Sequence, residues 1–405
     1  MGMNMTEKIL ARHAGLSHVE PGQLITCQLD MVLANDITAP PSIKEFERIG
    51  RPVFDNEKIA LVPDHFQPAK DIKAAGLGKI VRDFAKKHKI KNYFEIGRVG
   101  IEHVILPEFG LVGPGMLTIG ADSHTCTYGA LNGFSTGVGT TDLAVGMATG
   151  RAWFKVPETI EVHLTGALQK GVSAKDVILK VLSMLTVKGG VGKVIEYTGD
   201  GVRTLSVPER ATITNMGAEL GATTSVFPSD EVTRDFLRRE GREDVFRALA
   251  ADAGAVYDER YDIDLAALEP LIALPHMPDV VKTVREVAGQ PIDQVAIGSC
   301  TNSSYRDIMT VASILDGKRV APNVSLVLSP GSRQVLSMVA EAGGLAKILA
   351  AGARLLECTC GPCIGMGQSP VTNAWSLRTF NRNFKGRSGT LSANVCLVSP
   401  ETAAA

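Results

Sequence analysis

Three cysteines fall within six residues of one another, in Glu357-Cys-Thr-Cys-Gly-Pro-Cys363, and this stretch constrains the chain more than any other. The other cysteines are Cys27, Cys126, Cys300 and Cys396, seven in all. An odd count, behind a start (MGMNMTEKILARHAG) with no apolar signal core, speaks against a disulfide framework and for a reducing, cytoplasmic setting. There, clustered cysteines are metal ligands or catalytic groups. Cys360-Gly-Pro-Cys363 alone fits a redox pair, half of a zinc site, or part of an iron–sulfur site. A structural zinc site wants a second nearby pair. The remaining loop cysteine of similar character is Cys300, in Gly298-Ser-Cys-Thr-Asn-Ser-Ser304. Three thiolates leave one metal position open, as a Lewis-acid metal requires to hold a substrate oxygen. Structural burial of these cysteines is the plain alternative, weakened because Gly-Pro loops make poor core. Cys358 reads as a spare, and Cys27, Cys126 and Cys396 as non-ligands.

The rest of the chain reads as α/β. At 405 residues it calls for two or three domains. A formal net charge of −1 argues against nucleic acid or an anionic membrane as partner. No apolar run is long enough to span a bilayer. Apolar strands run into polar, glycine-bearing loops at Val295–Ile297, Met116–Ile119 and Arg354–Leu356. Open α/β sheets bind ligands beyond the carboxyl ends of their strands, so chemistry is expected there. Residues 72–88 predict a helix with Leu77, Ile80, Val81 and Phe84 as its apolar stripe. Its Lys86-Lys87-His88-Lys89 end is read as solvated. Four prolines suggest a linker over 265–292, and Pro157 a weaker boundary. Domains are therefore expected at 1–158, 159–285 and 286–405. Ser399-Pro400-Glu401 reads as a helix start followed by little more than a turn.

Candidate acid–base groups sit at strand–loop junctions: Asp64-His65 after Ile59–Pro63, Asp122-Ser-His124 after another strand, and His103 in Gly100-Ile-Glu-His-Val104. Three of only eight histidines beside turns and acids suggest proton transfer or water orientation rather than packing. Arg382 and Arg387 flank a glycine loop and suit bidentate carboxylate recognition, with a basic surface loop as the alternative. Gly189-Gly-Val-Gly-Lys193 lacks the spacing of a phosphate loop and reads as a turn.

These segments together resemble the aconitase / 3-isopropylmalate dehydratase superfamily along nearly the whole chain. The resemblance rests on Pro63-Asp-His65, Gly120-Ala-Asp-Ser-His-Thr125, Asn215-Met-Gly-Ala-Glu-Leu-Gly-Ala-Thr-Thr-Ser-Val-Phe-Pro228, Gly298–Ser304, Cys360–Gly365 and Phe380–Phe384. It implies three similar α/β domains with mainly parallel sheets around a 4Fe–4S cluster, held by Cys300, Cys360 and Cys363 with one iron open. It implies Asp64 and His65 as the acid pair, and His103, Asp122 and His124 as the group holding hydroxyl or water, with Glu219 pairing His103. Asn215, Asn302 and Asn381 are implied as cluster contacts, and Asn35, Ser123, Arg382 and Arg387 as substrate contacts. Thr127 stands where aconitase has an asparagine.

The swivel domain of the family, which carries a serine base and further arginines, does not follow in this sequence. A separate small subunit is therefore the implied partner. The N-terminal third is more similar to the isopropylmalate branch, and residues 211–230 and 295–390 to aconitase. The implied reaction is isomerisation of a 2-hydroxy di- or tricarboxylate by dehydration and rehydration, with the isopropylmalate branch expected first. Aconitase, homoaconitase and dimethylmalate dehydratase components are the alternatives. An iron sensor or RNA-binding form is the reading from another class, disfavoured by charge and by retention of the acid–base residues.

Overall fold

The strands Met31–Asn35, Ile59–Val62 and Leu117–Gly120 are buried on both faces and mostly apolar, as strands of a parallel sheet covered by helices must be. In the computed structural model, which describes residues 2–95 and 97–405, they form the centre of a five-stranded parallel sheet. The spatial order is Asn92–Tyr93, Ile59–Val62, Met31–Asn35, Leu117–Gly120, Phe134–Gly137. The chain builds outward from Met31–Asn35, first to one side and then to the other. Loops leaving the strands at such a reversal diverge and open a crevice. Asp36, Asp64-His65 and Asp122 all follow strand ends at this point.

A second sheet holds four parallel strands, Thr224–Val226, Lys193–Thr198, Glu158–Thr165 and Glu259–Asp264. The third is seven-stranded, and its five parallel strands reverse in the same way around Gln294–Gly298. Ser299-Cys300 leaves that central strand, Thr379–Arg382 leaves its neighbour Trp375–Arg378, and Glu357–Cys363 follows Arg354–Leu355. The two reversal points face each other: the Cys360 N–H donates to the Asp64 carbonyl at 2.8 Å. The fold is thus α/β with mainly parallel sheets. Each large sheet has its own apolar core, and a small separate core of Ile101, Ala296, Val327 and Phe380 packs around Cys300, Cys360 and Cys363. No helix among the described residues is long and apolar enough to cross a membrane.

Three expectations are corrected. The supposed linker contains strands Leu271–Ala273 and Val281–Thr283, which pair antiparallel and extend the third sheet, so that sheet begins ahead of residue 286. Short edge strands among prolines carry too little alternation to read. In the helix Ile72–His88 the buried face is Ala74, Gly78, Val81, Phe84 and Ala85, and Ile80 is 44% exposed. Small residues at 74, 78 and 85 let that face approach its neighbours, and a search for large apolar residues misses them. His88 also packs on Phe84 and Phe46 rather than ending free in solvent. Ser399 does cap a helix, Pro400–Ala404.

Candidate active site

Cys300 is delivered by a tight turn. Gly298 has φ +124°, and a Cβ there would stand 1.8 Å from the Ser329 carbonyl oxygen, so only glycine fits. Cys363 lies in a single 3-10 turn, Gly361–Ile364, with Pro362 in its first positions and Gly365 closing it at φ +87°. Cys300, Cys360 and Cys363 line one cavity of about 100 Å³, with His65, His103, Asp122, His124, Asn381, Arg382 and Arg387 on its other walls. Cys358 lines a different pocket, and burial pushes its thiol up to about 12. Burial likewise raises Cys27, Cys126 and Cys396, which stay ordinary core thiols.

The three cavity thiols behave differently. Hydrogen bonding from the Cys360 thiol pulls Cys300 and Cys363 below the usual thiol range, and Cys360 keeps its proton. The His124 charge adds to the effect at both sulfurs, and Arg387 adds to it at Cys363. Asn215 Nδ2 and Asn381 Nδ2 each donate to Cys300 Sγ at 3.3 Å, and an Arg387 Nη donates to Cys363 Sγ at 3.3 Å. Thiols poised towards thiolate, with amide and guanidinium donors on their sulfurs, are the donor set that holds and tunes an iron–sulfur cluster. The residues fit that group.

The acid–base groups meet at the same cavity. His65 Nδ1 lies 2.7 Å from Asp64 Oδ1. Burial works against the charged imidazole, but the Asp64 carboxylate overrides it and holds His65 well above the usual histidine range. His103 Nε2 contacts Asp122 Oδ1 at 2.9 Å, and its Nδ1 meets the Tyr128 hydroxyl at 3.1 Å. Asp122 also caps a nine-residue 3-10 helix, Ser123–Leu131, accepting from the His124 N–H. A 3-10 run of that length is uncommon, and here it places His124 over the cysteines. His124 Nε2 bonds Glu219 at 2.8 Å, and Arg382 Nε bonds the same carboxylate oxygen at 2.8 Å. Burial and the Arg382 charge would lower His124; its bonds to Asp122 and Glu219 raise it to about 9. Arg382 is further fixed by Ser123 Oγ at 2.7 Å.

Three residues have other partners in this geometry than those expected. Glu219 pairs with His124, not with His103, because the short helix Met216–Leu220 brings it up beside the 3-10 helix. Asn35 does not reach the cavity: fully buried, it donates to Glu102 Oε1 at 2.8 Å and its Oδ1 accepts from Ile37 and Thr38. Asn302, expected as a cluster contact, turns its amide to Lys175 and Thr212.

Several residues were not anticipated. Asp36 accepts from the His65 and Phe66 N–H groups, both at 2.9 Å, and so shapes the acid-pair loop. Thr127 Oγ1 accepts from Asn215 Nδ2 at 2.9 Å, supplying a polar contact despite its departure from the family pattern. Lys175, 0% exposed, donates to Asn302 and to the carbonyls of Thr379 and Phe380. Arg378, also fully buried, holds the Pro362 carbonyl at 2.9 Å. Glu102 is 0% exposed beside both His–Asp pairs. Nothing in the sequence pattern marks a buried charge; Glu102 had one usable signal, its place directly before His103.

Residues 7–291 and 281–405 match the model of the aconitase family (aconitate hydratase). The chain belongs to the aconitase family. It is similar over its full length to the 3-isopropylmalate dehydratase large subunit of Moorella thermoacetica, 49% identical over 96% of that protein. It is 51% identical to the 2,3-dimethylmalate dehydratase large subunit of Eubacterium barkeri, again over its full length and 97% of that protein. Among solved structures, the holo-form of Thermococcus kodakaraensis aconitase X covers 95% of this chain with a TM-score of 0.54 at 13% identity, a likeness of fold alone. For an aconitase-family chain the family implies a 4Fe–4S cluster, which agrees with the thiol donor set.

Proposed function

We propose that this chain is the large subunit of an iron–sulfur hydro-lyase, 3-isopropylmalate dehydratase being the best-supported activity. One observation carries the reading: three thiols, three histidines, Asp122 and two arginines converge on one cavity. Cys300, Cys360 and Cys363 would hold the cluster, which when bound supplies a Lewis-acidic iron that polarises the C–O bond of the substrate. His65, kept cationic by Asp64, gives its Nε2 proton to the leaving hydroxyl. His103 and His124, oriented by Asp122 and Glu219, hold that hydroxyl or the water it becomes. Arg382 and Arg387 take the substrate carboxylates, each already steered by a neighbouring group. Ile37 and Ile364 on the cavity wall suit an aliphatic substituent.

The base that removes the carbon-bound proton is expected on a small subunit, the partner implied by the names of the relatives, and this reading gives that subunit the swivel domain. The 51% identity to a 2,3-dimethylmalate dehydratase subunit favours a second reading with that substrate. Both are malates with aliphatic substituents. The test is to reconstitute the chain anaerobically with iron and sulfide, add a matching small subunit, and follow the unsaturated intermediate by absorbance. Turnover of 3-isopropylmalate above 2,3-dimethylmalate and citrate is expected. Preference for either of the others replaces the reading.

A further inference from the structure

Glu102 opens the helix Glu102–Glu108, immediately before His103, and its side chain is 0% exposed. Oε1 accepts from Asn35 Nδ2 at 2.8 Å and lies 3.6 Å from His103 Nε2. Oε2 has no hydrogen-bond partner among the described residues. One carboxylate oxygen of Glu102, one imidazole nitrogen of His65 and one oxygen of Asp122 all lie within 4.8 Å of each other. The backbone N–H of Glu102 donates to Asp64 Oδ2 at 2.8 Å, locking the residue to the acid pair. A buried carboxylate with one oxygen unpartnered is costly, and two further carboxylates face it, Asp64 and Asp122. A proton on Glu102 removes that cost. Burial, then Asp64 and Asp122, raise its proton affinity well above the usual carboxyl range. The other titratable groups around it are His65, His103 and Tyr128.

We infer that Glu102 is the proton store of the site, protonated at rest and exchanging its proton with His65. This rests on the assignment of His65 as the acid. In dehydration the His65 proton leaves with the substrate hydroxyl as water. Glu102 then gives its proton to the neutral imidazole and becomes a carboxylate. In rehydration Glu102 first takes its proton back from His65, and the neutral imidazole then accepts the proton of the added water as hydroxide goes to carbon, so no proton is gained or lost over the isomerisation. Through this exchange the site keeps the proton it needs while shielded from solvent.

Glu102→Gln is nearly isosteric and keeps an oxygen for Asn35, so it preserves a merely structural role and removes only the exchangeable proton. With the reconstituted two-subunit enzyme, kcat is expected to fall by roughly a hundredfold, the scale of one proton-transfer step, with KM little changed and the alkaline limb of the kcat–pH profile altered. Glu102→Val controls for loss of the Asn35 bond, and unfolding midpoints verify that both variants fold. Independently of activity, infrared difference spectra of wild type against Glu102→Gln are expected to show the carbonyl stretch of a neutral carboxylic acid at pH 7. Wild-type kcat and pH profile in Glu102→Gln, or the absence of that band, overturn the inference. A wild-type enzyme with no dehydratase turnover, but with the band present, would instead count against the proposed function.

Discussion

At the residue scale, the site depends on which cysteine faces which space. Cys358 and Cys360 are two positions apart, yet Cys360 lines the cavity with Cys300 and Cys363 while Cys358 lines a separate pocket. Cys360→Ser is therefore expected to abolish cluster binding, and Cys358→Ser to leave it largely intact. Iron and sulfide content after anaerobic reconstitution decides between them; equal loss in both would mean that the ligand set is misassigned. Spacing pointed to Cys360 and Cys363 because a C-x-x-C brings its sulfurs together in one turn. The loop context of Cys300 was equally plain. Glu102, Lys175 and Arg378 were not legible, because whether a charge is buried depends on distant chain segments. The partner of Glu219 is not legible for the same reason: Ser123–Leu131 wind as a 3-10 helix, and that turns His124 rather than His103 towards it.

At the scale of elements, the helix Ala174–Leu185 of the second sheet reaches into the third through Lys175. Its ammonium meets three acceptors, one two residues from Cys300 and two directly before Asn381. Burial lowers its pKa to about 7, and as ammonium or amine it remains a donor to these groups. Lys175→Met would leave three buried acceptors without a donor, at about 1–3 kcal/mol for each unsatisfied group. The cluster-free chain is expected to lose at least about 3 kcal/mol in urea unfolding, and the reconstituted chain to bind iron less completely. An unchanged midpoint would mean that water or a rearranged loop takes over the ammonium's role. Elements were legible where long apolar strands end in charged loops, as at Ile59–Val62 into Asp64-His65. They were not legible in the three-residue strands at 271–273 and 281–283, whose place is fixed by pairing along the edge of a sheet rather than by their own pattern.

For the whole molecule, the cavity holds the proposed acid His65, the histidines proposed to orient water and the two arginines proposed to bind carboxylates. Among the described residues on its walls every carboxylate is already engaged by a histidine. A base and the rest of the substrate wall are then expected from the small subunit, and substrate preference with them. Among the described residues of its lining, only Ile37, 36% exposed, and Ile364 offer aliphatic surface from this side. Shortening one of them by a methylene removes about 0.8 kcal/mol of apolar burial, about fourfold in kcat/KM at most. A complementary pocket that accepts or rejects whole methyl groups can discriminate by about 10–200-fold for each. Exchanging the small subunit for that of a 2,3-dimethylmalate enzyme, with this chain unchanged, is therefore expected to shift the ratio of kcat/KM for 3-isopropylmalate over 2,3-dimethylmalate by more than Ile37→Val does. Both ratios come from the same intermediate-absorbance assay. If the ratio holds constant across partners and moves with Ile37→Val, the selecting surface lies in this chain, on the loop between Asn35 and Thr38 where the first sheet reverses its order.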